Sequence, residues 1–123
     1  MYTPQVIEHY ENPRNVGTIT DANGTATIGS TASGEMIKLT LKVLEDVIVA
    51  AKFRAFGCPT AIASASILTE MITGNDIPEA LQITAVRLSE ALGGLPLDKR
   101  RYAETAEEVL KTAIADFLSK TEV

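Results

Sequence analysis

The chain is short of the residues on which most recognisable chemistry depends. It has one cysteine, one histidine and no tryptophan in 123 residues. A lone cysteine cannot close an internal disulfide, which fits a reducing compartment such as the cytoplasm. No unbroken apolar run is long enough to cross a bilayer. No basic segment followed by an apolar one opens the chain as a secretory signal would. Basic residues are outnumbered: 11 Lys and Arg stand against 16 Asp and Glu, for a formal net charge of −5. That balance argues against a nucleic-acid binder, which presents a basic surface to phosphates. There is no Walker-type loop, dinucleotide fingerprint, His-Glu-x-x-His or paired Cys-x-x-Cys motif. No nucleophile-elbow sequence accompanies His9, so a Ser-His-Asp hydrolase is set aside.

What remains is apolar enough to fold. Hydrophobic residues make up 46% of the chain, which argues against disorder. The length suits one domain, 1–123, with a real core. Thr3-Pro4 reads as an N-cap with proline in the first turn. Val6, Ile7 and Tyr10 follow as one helical face, and Asn12-Pro13 ends the helix. His9, between Glu8 and Glu11, reads as a solvated surface residue. Tyr2 precedes the cap and reads as exposed. A strand is expected over 25–28.

Residues 36–43 alternate: Met36, Lys38, Thr40 and Lys42 point one way, Ile37, Leu39, Leu41 and Val43 the other. This is a strand with one wet face. Glu45-Asp46 makes a tight link to a second strand over 47–56. There Lys52, Arg54 and Phe56 oppose Ala51, Phe53 and Ala55. Two such strands form an antiparallel hairpin.

Helices follow over about 59–73, 77–81, from the Thr84 cap to Gly93-Gly94, and over about 98–119. In the last, Ala103, Ala106, Leu110, Ala113, Ile114 and Phe117 form the core stripe. Glu104, Glu107, Glu108 and Lys111 are read as facing water. Strands first and helices second predict an α+β fold: a small antiparallel sheet of about three strands with helices packed on one face.

Phe56-Gly57-Cys58-Pro59 joins the second strand to the first buried helix. Gly57 permits a sharp corner, Cys58 takes the N-cap position and Pro59 the first helical one. The free N–H groups and dipole of a helix N-terminus favour a thiolate, so a lone thiol there is placed to react. A lone cysteine is most often an inert, buried small hydrophobe. A second corner, Thr31-Ala32-Ser33-Gly34-Glu35, precedes the wet-faced strand. Antiparallel pairing could bring it beside Cys58, where a carboxylate and a thiol would form half a metal site. On local sequence alone Glu35 is read as a turn residue in water.

At these corners the chain resembles the IscU and NifU N-terminal-domain family of iron–sulfur cluster assembly scaffolds. The likeness begins at Val6-Ile7-Glu8-His9-Tyr10-Glu11-Asn12-Pro13-Arg14-Asn15-Val16-Gly17. It continues through Ser33-Gly34-Glu35-Met36-Ile37-Lys38-Leu39 and Phe56-Gly57-Cys58-Pro59-Thr60-Ala61. It ends at Leu92-Gly93-Gly94-Leu95-Pro96 and residues 111–117. The resemblance implies a scaffold, not a turnover enzyme, on which a cluster is built from iron and from sulfur supplied by a cysteine desulfurase.

The family's ligands are three cysteines and an aspartate, with a histidine in some members. Carried over, the first cysteine's Ala-Cys-Gly-Asp turn reads Ala32-Ser33-Gly34-Glu35, and Cys58 keeps the second cysteine. The Lys-x-His-Cys run reads Lys99-Arg100-Arg101-Tyr102. Ser33, Glu35, Cys58, Arg101 and Tyr102 are thus the family-site positions, and only Cys58 and Glu35 remain as metal donors. Iron clusters are held mainly by thiolates, and Tyr102 could serve only as a phenolate. Arg101 adds a fixed positive charge beside any cation.

The resemblance therefore implies weak or absent binding of iron, a cluster or zinc. Alternatives are a paralogue acting as a partner-binding or regulatory module, and a persulfide carrier using Cys58. The family's Leu-Pro-Pro-Val-Lys chaperone loop becomes Leu95-Pro96-Leu97-Asp98-Lys99. A homodimer, if formed, is expected to use Tyr2, which matches an aromatic near the family's N-terminus.

Overall fold

A computed structural model describes residues 2–30 and 32–121. Thr31 of the second corner therefore lies outside the described residues. The chain runs α1 (Pro4–Glu11), β1 (Gly24–Ser30), β2 (Glu35–Leu44), β3 (Val47–Phe56), α2 (Pro59–Ile72), α3 (Ile77–Ala80), α4 (Ala85–Ala91) and α5 (Arg100–Thr121), with a 3-10 turn at Leu97–Lys99. The sheet is antiparallel in the order β1-β2-β3. The expected α+β fold and its hairpin are both present, and β1 is longer than the four residues read from the sequence.

Alternation decides which way the sheet faces. Ile37, Leu39, Leu41, Val43, Ala51 and Phe53 are all buried and point toward the helices. They join Leu68 and Ile72 of α2 and Ala106, Leu110 and Ile114 of α5 in one apolar cluster. Glu45 and Asp46 both have positive φ, 52° and 63°. This is the backbone a two-residue hairpin link demands from the twist of its strands. At β1 the approach of α5 is close: a Cβ on Gly24 would lie 2.8 Å from the Ala113 carbonyl oxygen and 3.2 Å from Phe117 Cβ. Glycine is what allows α5 to lie on that strand.

Three expectations fail, each because a polar group found a distant partner. Val6 and His9, not Ile7 and Tyr10, form the inward face of α1: His9 is 7% exposed, Ile7 43% and Tyr10 45%. Thr40, on the supposedly wet face of β2, is buried. Its hydroxyl accepts the Ile19 N–H at 3.1 Å and donates to the Lys52 carbonyl at 3.2 Å. Glu107 is half-buried. It accepts the Ala85 N–H at the start of α4 at 2.6 Å as well as pairing with Lys111. Those two hydrogen bonds hold its carboxyl below the usual carboxylate range.

His9 packs on α2. Ser66 Oγ lies 2.8 Å from His9 Nδ1 and also accepts the Arg14 N–H at 3.0 Å. The hydroxyl proton is then free for Nδ1, which assigns the ring proton to Nε2, 3.5 Å from Glu70 Oε1. That tautomer is neutral. Burial, then the Arg14 charge, lowers the imidazole pKa from its ordinary value near 6.5, while Glu70 and Glu8 oppose them. The unfolded chain therefore takes up the proton first as pH falls. Stability is full above about pH 6.5 and declines as pH drops from there toward the lower folded pKa. Urea unfolding at pH 7.5 and 5.5 is expected to show this decline in the wild type and a smaller one in His9→Gln. His9 is the only histidine, so equal declines would remove it as the cause.

Candidate functional site

Two corners and the first turn of α5 meet at one end of the sheet. β2 and β3 run antiparallel with Met36 opposite Phe56, so the residue entering β2 and the residues leaving β3 are neighbours. Gly57 turns the chain at φ 139°. A Cβ there would sit 3.2 Å from Glu35 Cγ. The absent side chain lets Glu35 lie against the corner. Cys58 then caps α2 with extended backbone, φ −77° and ψ 165°. Its carbonyl accepts the Ala61 and Ile62 N–H groups. Its side chain makes no capping bond, and the residue is half-buried.

Across the gap, α5 presents Arg101 and Tyr102. Tyr102 is 5% exposed. Arg101 Nη2 donates to the Tyr102 hydroxyl at 2.7 Å and to Glu35 Oε1 at 3.3 Å, and the hydroxyl is 3.4 Å from that carboxylate oxygen. The Arg101 guanidinium also lies 4.6 Å from the centre of the Tyr102 ring, a cation–π distance. Tyr102 is pushed up to about 12. The neighbouring Cys58 side chain is the largest cause, followed by burial and the Glu35 charge, with the hydrogen bond from Arg101 opposing. At neutral pH the phenol keeps its proton, so it is not available as a phenolate ligand.

Ser33 lies in the tight turn before β2. Its hydroxyl accepts the Ser30 N–H at 3.2 Å and lies within donating distance of the Ser30 and Glu35 carbonyls, 2.9 and 3.0 Å away. Ser33 thus uses its oxygen to lock the turn that carries Glu35. Together Ser33, Glu35, Met36, Ala61, Arg101 and Tyr102 border a cavity of about 230 Å³. Four of the five positions singled out from sequence, Ser33, Glu35, Arg101 and Tyr102, thus border one cavity, and Cys58 follows Gly57, whose missing Cβ lets Glu35 lie against the same corner. No group of three or more His, Cys, Asp or Glu side chains among the described residues is placed to hold a metal.

The donor chemistry of this corner is one thiol and one carboxylate, with a guanidinium on the carboxylate. That set does not fit a cluster, which is held by about four protein ligands, mostly thiolates. A structural zinc site is likewise closed by four, usually cysteine and histidine.

The family model for the NifU-like N terminal domain matches residues 1–123. This chain belongs to that family. NifU-like N-terminal relatives among curated proteins include the iron-sulfur cluster assembly scaffold protein IscU 1 of Archaeoglobus fulgidus. It is 44% identical over 120 residues, covering 98% of this chain and 78% of that protein. The protein named iron-sulfur cluster assembly scaffold protein IscU in Escherichia coli K12 is 42% identical over 125 residues, covering 98% and 97%. Among solved structures, a NifU-like N-terminal protein from Brucella abortus superposes with a TM-score of 0.79 over 97% of this chain and 95% of that one. At 17% identity it speaks to the fold alone. The chain is thus an iron–sulfur cluster assembly scaffold-family protein.

His9, like Thr40 and Glu107, lies elsewhere than its local sequence suggests, and none of the three takes part in this corner. The signal that could have placed His9 is Ser66, a hydroxyl in an otherwise apolar, buried helix.

Proposed function

We propose that this NifU-like domain serves iron–sulfur assembly with a depleted site, binding iron, a cluster or zinc weakly or not at all as an isolated chain. One observation carries the reading: with a single cysteine in the chain, no group of three or more His, Cys, Asp or Glu among the described residues could hold a metal, and the Glu35 carboxylate at this corner already shares an oxygen with the Arg101 guanidinium and the Tyr102 hydroxyl. A metal ion approaching Glu35 meets a fixed positive charge and a protonated phenol where scaffold ligands would be. Exposed ion pairs are worth about 0–1 kcal/mol, so Arg101 is a minor obstacle. The missing thiolates are the major one.

In this reading the chain is not a turnover enzyme. It works in the cytoplasm beside other assembly proteins, a cysteine desulfurase among them. Iron and sulfide are its cargo. A dimer could pool two Cys58 thiols, so the test is run at two protein concentrations.

Anaerobic reconstitution with ferrous iron, sulfide and a desulfurase, followed by desalting, is the experiment. Iron well below one per chain and no lasting visible chromophore are expected. A persistent chromophore with about one or two irons per chain would falsify the depleted-site reading. Sulfur retained on Cys58 without iron, seen as a mass increase of one sulfur atom, would instead favour the persulfide-carrier alternative.

A further inference from the structure

We propose that the outer face of the sheet is a docking surface for an extended acidic segment of a partner protein. The chain carries 16 acidic and 11 basic residues. Four of those 11, Lys38, Lys42, Lys52 and Arg54, lie on this one face, opposite the helices. Alternation places them there: their neighbours Ile37, Leu39, Leu41, Ala51 and Phe53 are buried on the inner side. Lys38 sits directly across from Arg54, and Thr40 across from Lys52.

Like charges directly opposite each other weaken a sheet, so the fold itself gives no reason for Lys38 to face Arg54. Neither finds a counter-charge among the described residues, and nor does Lys52. Arg54 Nε donates only to the neutral Thr18 hydroxyl, at 3.3 Å. Lys42 alone is matched, by Asp21 at 3.4 Å. Residues 18–21 lie against this face at Thr40 and Lys42, but Lys52 and Arg54 stay exposed and Lys38 half-exposed, so these three cations remain open to a ligand from outside.

The arrangement suits carboxylates on an extended chain. Successive same-side residues of a strand are about 6.8 Å apart. A segment with acids at alternate positions therefore matches Lys52 and Arg54 along β3 and Lys38 across from them. The strip runs toward the half-buried pair Met36 and Phe56 and so ends at the Cys58 corner. A partner seated on it reaches that corner, whether or not the corner holds metal. A nucleic acid fits less well: such proteins commonly neutralise about 6–10 phosphates, and the rest of this chain is acidic. Anionic membranes are recruited by clusters of about 4–8 basic residues, and three unmatched cations fall short.

The probe is a fluorescein-labelled octapeptide alternating Glu and Thr, read by anisotropy at about 0.01 M salt, where screening acts over about 30 Å. Binding is expected, and it should weaken steeply by about 0.15 M salt. Arg54→Glu and Lys38→Glu should each weaken it about fivefold or more. Arg87→Glu, on α4, makes the same change in net charge and should alter it less than about twofold. Lys38→Gln and Arg54→Gln give the same ranking more gently, and circular dichroism confirms that each variant is folded. No binding at low salt overturns the proposal, as does equal weakening by Arg87→Glu. Tighter, Arg54-dependent binding of a single-stranded oligonucleotide or of phosphatidylserine vesicles would assign the face to those ligands and overturn it too.

Discussion

Ser33→Cys, Arg101→His and Tyr102→Cys together are expected to change a chain that retains little iron into one that keeps a cluster through desalting. The three positions need no new backbone. Ser33 and Tyr102 border the same cavity as Glu35, and Cys58 acts on the Tyr102 hydroxyl strongly enough to be the largest cause of its raised pKa. The triple variant supplies three thiols, one imidazole and one carboxylate around that gap, and removes the guanidinium. Single variants should gain little, because a cluster needs most of its ligands at once. The gain is therefore expected to be strongly non-additive, as for groups that act as a unit.

The substitutions also carry a structural cost. Ser33→Cys loosens the turn bonds, at about 1 kcal/mol each. Tyr102→Cys empties a buried aromatic site, and large-to-small changes of aromatics run to about 3–5 kcal/mol. Metal binding to the folded state should recover part of this, since a ligand that binds only the native form stabilises it. Two readouts check the result: iron per chain after anaerobic reconstitution, and the melting temperature with and without metal. A folded triple variant that retains no more iron than the wild type would show that the lost thiols are not what limits binding.

What could be read from sequence divides along one physical line. The Cys58 corner was legible because its geometry is local: a glycine for the turn, a proline for the first helical position, and small apolar residues after it. The hairpin was legible because alternation over 36–43 and 47–56 is set by the two-residue period of the strand itself. His9, Thr40 and Glu107 were not. Each is placed by a partner far along the chain, Ser66, Lys52 and Ala85 respectively, and no local pattern announces such a bond. The five family-site positions were singled out by resemblance. The β2–β3 register, which sets Met36 against Phe56, brings Ser33 and Glu35 beside the Cys58 corner, and α5 adds Arg101 and Tyr102 through their contacts with Glu35. The role of Ser33 in locking its turn was not legible either, because it depends on where the Ser30 and Glu35 carbonyls fall.

Gly29→Ala is expected to be the most damaging single methyl that can be added near the site, and Gly34→Ala a mild one. Both glycines have positive φ, 91° and 82°, and both flank the turn that carries Ser33 into Glu35. The left-handed conformation alone costs a non-glycine residue about 1–2 kcal/mol. Part of that is offset because alanine also restricts the unfolded chain. What separates the two positions is space. A Cβ on Gly34 meets nothing within 4 Å, whereas one on Gly29 would lie 2.2 Å from the Glu35 carbonyl oxygen and 3.1 Å from Met36 Cα. Those neighbours are backbone and cannot swing aside as a side chain can. Relief requires β1 to separate from β2 where Gly29 pairs with Met36 and Ser30 with Glu35.

Gly34→Ala should therefore cost about 1 kcal/mol. Gly29→Ala should cost about 3 kcal/mol or more, in the range of strained backbone joined to a steric clash. Because Glu35 moves with the strand end, Gly29→Ala should also part Glu35 from Arg101 and Tyr102. Urea unfolding measures the stabilities. The Tyr102 titration, followed by ultraviolet absorbance, reads the corner. Its midpoint should fall a little from about 12 in any Gly29→Ala protein that remains folded, because the Glu35 charge is the smallest of the causes that raise it, behind Cys58 and burial. It should stay unchanged in Gly34→Ala. Equal destabilisation by the two alanines would mean that the close approach of the Glu35 carbonyl to Gly29 is relieved at little cost.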